Sequence, residues 1–203
     1  MILTRPQKNT EQDINYIVSI KQLLEFERFC RDNALWDEMK KCYLEDSKIT
    51  ISWFQGTGHE FVEESKKMLV RAPHKIYNTG TWINGDKAVA IMLTTIQCKT
   101  EIDGCELELL SDAKLVFRVQ RVDGMWYIAA MEAIYEKDSL VPVLANCNFT
   151  LDKKELAGYR ESYACLAWSL QKQGYEINNN LPGIDRPDLV EKLYKDADKW
   201  LCE

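Results

Sequence analysis

The chain has 203 residues, 46% of them hydrophobic and 29% charged, enough for one good core or two small ones. Its formal net charge of −6 argues against a nucleic-acid binder, which needs a basic face, and no apolar run approaches the ~20 residues of a membrane span. Seven scattered cysteines without a CxxC pair read as reduced thiols packed as small hydrophobes, and Met1 to Asn9 lack the apolar stretch of a signal peptide, so a cytoplasmic location is expected.

Residues 1–12 are polar. From Ile14 onward, apolar residues recur at helical spacing through Ile17, Ile20, Leu23, Leu24, Phe26, Phe29 and Cys30, which predicts a first helix ending near Asp32-Asn33. A second helix is expected over 35–44, with Trp36, Met39 and Tyr43 on one face. Residues 48–54 read as a short strand. Residues 58–70 read as a third helix, with Phe61, Val62, Ser65, Met68 and Leu69 inward.

Three glycine turn dipeptides then punctuate the chain: Asn84-Gly85-Asp86, Asp103-Gly104 and Asp123-Gly124. Glycine and asparagine accept the positive φ of tight hairpins, so 73–137 is expected to fold into four antiparallel strands. After Gly124 strict alternation would send Trp126, Ile128, Ala130, Glu132 and Ile134 to one face. Tyr127, Ala129, Met131, Ala133 and Tyr135 would take the other. Both faces are mostly apolar, so one should pack on the helices and the other line a cavity or a partner subunit.

Beyond Val143 the pattern turns helical over 151–173, ends at Gly174, and resumes after Pro187 with Leu189, Leu193, Ala197 and Trp200 as a stripe. The expected division is therefore 1–143 as an α+β domain, with a core near 14–140, and 144–203 as a helical extension packed on it.

Only two histidines are present. His74 begins the first long strand, and histidine is the side chain best suited to move protons at neutral pH. His59, at a helix start, reads as structural. Asp32, where the first helix ends, reads on local grounds as a cap or turn carboxylate, and alternatively as a group that orients His74 and raises its pKa. No HxH, HExxH or Cys/His cluster, no GxSxG and no phosphate or dinucleotide loop is present, so neither metal nor cofactor is expected.

The order helix, helix, strand, helix and four-stranded meander resembles the cone-shaped α+β fold of the nuclear transport factor 2 superfamily. It is similar in particular to the SnoaL-like polyketide cyclases and scytalone dehydratase. The resemblance rests on Asp32-Asn-Ala-Leu-Trp36-Asp37 with Lys41-Cys42, on His74-Lys-Ile-Tyr-Asn-Thr-Gly-Thr-Trp-Ile-Asn-Gly-Asp86, and on Arg121-Val-Asp-Gly-Met-Trp126-Tyr-Ile128. It implies a curved antiparallel sheet with about three N-terminal helices packed on it. It also implies that Asp32 and His74 form the acid–base pair of a cofactor-free pocket.

There are departures. Arg31 and Ile51 stand where scytalone dehydratase has tyrosines, and its second histidine has no counterpart, which argues against scytalone itself as substrate. The expected activity is a cofactor-independent lyase or isomerase acting on an apolar cyclic molecule with hydroxyl or keto groups, such as a polyketide or steroid. Trp53, Tyr77, Asn78 and Glu132 are the candidate ligand contacts. The alternatives are a non-catalytic binding or assembly module of the same fold, or a purely structural subunit. The apolar outer sheet face predicts a homodimer or higher oligomer.

Overall fold

In the computed structural model, which describes residues 2–5, 9–68, 72–147 and 149–203, six strands form one curved sheet and six α-helices flank it. Helix α1 spans Glu11–Asp32 and opens with a capping box in which Thr10 and Asp13 satisfy each other's backbone groups. Its end is fixed by Ala34, which takes a left-handed φ of 59°, so that the Leu35 N–H returns to the Cys30 carbonyl at 2.8 Å.

Helix α2, Trp36–Lys40, is shorter than expected, because Cys42 and Tyr43 are already drawn into the sheet. Strand β1, Tyr43–Ile51, turns back at once through β2, Phe54–Gly56, and α3 follows over Gly58–Lys66. Gly58 is required at its place: a Cβ there would sit 2.4 Å from the Tyr43 ring and 2.7 Å from Ser47 Oγ, which accepts the Gly58 N–H. Leu69 and Val70, the expected end of this helix, lie outside the described residues.

The predicted meander is β3 (His74–Asn84), β4 (Lys87–Ile102), β5 (Cys105–Val122) and β6 (Met125–Pro142), all antiparallel neighbours. All three hairpins are two-residue turns. Asp103-Gly104 and Asp123-Gly124 are left-handed at both positions, and the first turn is left-handed at Gly85. The sheet order is β2-β1-β6-β5-β4-β3, with β1 parallel to β6.

Strict alternation fails on β6. A bulge at Ala129 and another at Glu136 insert residues against β5, and each bulge switches which side chains face inward. Trp126 and Ile128 therefore share the inner core with Met131, Ala133 and Tyr135, while Ile134 and Glu132 face outward.

The C-terminal region splits into separate pieces. The single helix expected over 151–173 is broken: α4 covers Lys153–Leu156, the chain turns through Gly158, and α5 covers Ala164–Lys172. Helix α5 packs on the inner side, where Leu166 and Leu170 join the main core and the Leu166 N–H donates to Asp138 Oδ2 at 2.7 Å. Helix α6, Pro187–Cys202, lies on the opposite face. Its Leu193, Ala197 and Leu201 cover Val89, Ile91, Val116 and Ile134, so the apolar surface on which self-association was expected is occupied by the same chain.

The expectation of seven reduced cysteines is corrected at two of them: Cys105 and Cys147 form a disulfide, with Cα atoms 5.7 Å apart, and Cys30, Cys42, Cys98, Cys165 and Cys202 are free. No helix among the described residues is long and apolar enough to cross a membrane.

Candidate active site

Asp32 is the last residue of α1 and His74 the first of β3, so the two meet where a helix end abuts a strand start. Asp32 Oδ2 accepts the His74 backbone N–H at 2.7 Å, and Oδ1 lies 2.7 Å from Nδ1 of the ring. The imidazole is nearly enclosed, with its side chain 4% exposed.

Burial penalises the imidazolium and pushes the His74 pKa down to about 4. The hydrogen bond to Asp32 opposes this shift, whereas Arg28 and Arg31 reinforce it. The expectation that Asp32 would raise this pKa is thus reversed, since desolvation and two cations outweigh one carboxylate. At neutral pH the ring is uncharged. Its proton sits on Nδ1, facing the carboxylate, and its lone pair sits on Nε2. Asp32 itself is held below the usual carboxylate range: burial resists ionisation, but its bonds to His74 and the nearby Arg28 win.

Arg28 lies one helical turn before Asp32, and its Nη1 is 3.4 Å from His74 Nε2. Its Nε and Nη2 donate to Oε2 and Oε1 of Glu27, both at 2.5 Å, and the Tyr43 hydroxyl donates to the same Oε1 at 2.6 Å. The network is buried: Glu27 is 0% and Arg28 3% exposed. Burial opposes the charge on Arg28, but Glu27, together with Tyr43 and Asp32, outweighs it and keeps the guanidinium protonated. Arg31 Nη2 approaches Met68 Sδ at 3.4 Å, and the guanidinium carbons of Arg28 and Arg31 lie 5.9 and 5.8 Å from the Phe61 ring centroid.

Arg28, Arg31 and His74 open onto a cavity inside the cone. Most of its wall is apolar, with Trp53, Phe61, Leu115 and Met131 from the core and Leu166 and Leu170 from α5. Helix α5 therefore closes part of the cavity. Tyr135 also lines it, its hydroxyl accepting the Ser52 N–H at 2.9 Å.

Of the residues singled out in the sequence, Asp32 and His74 are brought together and Trp53 lines the same cavity. Tyr77 and Asn78 do not line it. Both sit on an outer groove between α1 and β3, with Tyr77 67% exposed and its hydroxyl 2.9 Å from Thr95 Oγ1. Glu132 is on the outer sheet face, 3.0 Å from Arg118. His59 lies on α3, away from the cavity lining. Arg28 was missed, although Arg28 and Asp32 at i,i+4 next to Glu27 is a pattern that places both on one helix face. Among the described residues, no three His, Cys, Asp or Glu side chains are grouped as metal ligands.

No family profile matches the chain. Curated fungal relatives do: a PEP2-like protein of Fusarium vanettenii is 25% identical over 91% of this chain and 84% of its own length. Pea pathogenicity protein 2 of the same fungus is 24% identical over the same shares. Among solved structures, a candidate scytalone dehydratase of Novosphingobium aromaticivorans superposes with a TM-score of 0.56 at 13% identity, over 71% of this chain and 94% of its own. A hexachlorocyclohexane dehydrochlorinase of Novosphingobium barchaimii superposes with a TM-score of 0.53 at 16% identity, over 68% and 97%.

The fold is the nuclear transport factor 2-like cone.

Proposed function

We propose that the protein is a cofactor-independent lyase of the dehydratase type, with His74 as its base and Asp32 as the group that orients it. One observation carries this reading: the Nδ1 of a buried, neutral imidazole is tied to Asp32 at 2.7 Å while the same imidazole lines an apolar cavity. That arrangement leaves Nε2 with its lone pair, the form that accepts a proton.

The substrate would be an apolar ring compound of polyketide or steroid type that carries a carbonyl and a hydroxyl on the β-carbon. Nε2 takes the proton next to the carbonyl, and the electrons of that C–H bond pass into an enolate. Arg28, 3.4 Å from Nε2, stabilises the negative charge as it develops. The enolate re-forms the carbonyl, a C=C bond forms and the C–O bond to the hydroxyl breaks. The imidazolium returns its proton to the departing oxygen, which leaves as water. Asp32 stabilises the imidazolium during the interval when the proton resides there. The apolar walls keep bulk water from competing for it.

The test is turnover of a panel of cyclic β-hydroxyketones, followed by the ultraviolet absorbance of the conjugated enone. His74→Ala should lose about 10²–10⁴-fold in rate, and Asp32→Asn should be impaired as well. Full turnover in both variants would refute the reading. A ligand recovered unchanged after long incubation with the wild-type protein would favour a binding module instead.

A further inference from the structure

Three basic side chains line the cavity, and they differ in how fully they are satisfied. Arg28 is matched by Glu27, which accepts from two of its nitrogens. His74 is matched by Asp32. Arg31 is not matched: it forms no ion pair with any described residue, its Nε is buried without a hydrogen-bond partner, and its Nη2 meets only a thioether sulfur, a weak acceptor. No aspartate or glutamate is among the residues lining the cavity.

Arg31 is half-buried, and the two carboxylates near it, Asp32 and Glu27, are already bonded to His74 and Arg28. A partly desolvated cation with no carboxylate of its own is costly to keep, and a ligand can supply the missing partner. Burial and the neighbouring Arg28 outweigh the pull of Asp32 and Glu27 and lower the Arg31 pKa to about 10, which still leaves it protonated at neutral pH. Phe61 packs beside both guanidinium groups and keeps them at the cavity wall. The guanidinium of Arg31 is a planar cation whose fork of N–H groups suits two carboxylate oxygens.

We propose that Arg31, with Arg28 beside it, anchors a carboxylate on the ligand of this cavity, so that the ligand class is an apolar ring acid. The proposal rests on the reading of this cavity as the substrate site, and binding is measured apart from turnover so that the two can fail separately.

The experiment compares 2-naphthoate with its neutral analogue 2-naphthamide by isothermal titration calorimetry at pH 7.5. Charge-assisted bonds to a buried guanidinium should make the wild-type protein prefer the acid by about tenfold or more. Arg31→Met should lose that preference. Arg31→Gln, which keeps a polar head group, provides the same comparison should the methionine variant fail to fold. His74→Ala should keep the preference while losing turnover. Equal affinity for the two probes, binding of neither, or a preference that survives removal of the Arg31 charge would each overturn the proposal. If the preference is confirmed and His74→Ala still turns substrate over, anion recognition stands and the acid–base reading fails.

Discussion

Asp32 meets His74 twice, at the backbone N–H and at Nδ1, each at 2.7 Å. One carboxylate thereby ties the start of β3 to the end of α1 and also selects which ring nitrogen carries the proton. The same contact positions a strand and prepares a base.

Acid should loosen the fold through His74. Its pKa of about 4 in the folded protein lies below the ordinary 6.5, so the unfolded chain binds the extra proton first as pH falls. The contribution is neutral above pH 6.5 and becomes a loss between there and pH 4. At pH 5 it amounts to roughly 2 kcal/mol relative to pH 7. Urea midpoints measured across this window should fall for the wild type and flatten for His74→Gln. An equal slope in the two proteins would exclude His74 as the source.

Glu27→Gln should destabilise the protein strongly. Removing one partner of a buried ion pair strands the other charge, at a cost of about 3–5 kcal/mol. Here it also weakens the acceptor of the Tyr43 hydroxyl. Chemical denaturation of the variant checks this, and a loss below ~1 kcal/mol would mean that Arg28 finds water when Glu27 is gone.

The Cys105–Cys147 link closes a sequence separation of 42 residues. On the chain-entropy account, breaking it should cost about 4 kcal/mol. Cys147→Ser should therefore lower the denaturation midpoint, and wild type treated with reductant should follow it. Intact-mass measurement before and after thiol alkylation will show the bond directly.

Helix α6 can be probed at Leu193, which is 4% exposed against the sheet. Leu193→Ala should cost about 2–5 kcal/mol. A chain cut before Arg186 would leave Val89, Ile91, Val116 and Ile134 uncovered, and light scattering should then report more association than for the full chain.

The hairpins were legible in the sequence because Gly85, Asp103-Gly104 and Asp123-Gly124 encode their backbone locally. The early end of α2 was not, because what draws Cys42 and Tyr43 to the sheet edge is pairing with β6, far along the chain. The inward and outward sides of β6 were misread after Ala129, since a bulge leaves no mark in composition. His74 and Asp32 each stood out in the sequence, but their pairing came only from a family resemblance, since a separation of 42 residues carries no local signal. Cys105 and Cys147 are likewise joined by the fold rather than by any spacing motif.

The order of the chain also sets an order of exposure. Strands β4, β5 and β6 emerge from the ribosome well before α6, so the nascent sheet displays its outer valines and isoleucines with nothing yet made to shield them. Folding is then completed from the far end, when α6 arrives and settles on a sheet already built. Until that moment, the growing chain is more prone to sticking to its neighbours than the finished protein is.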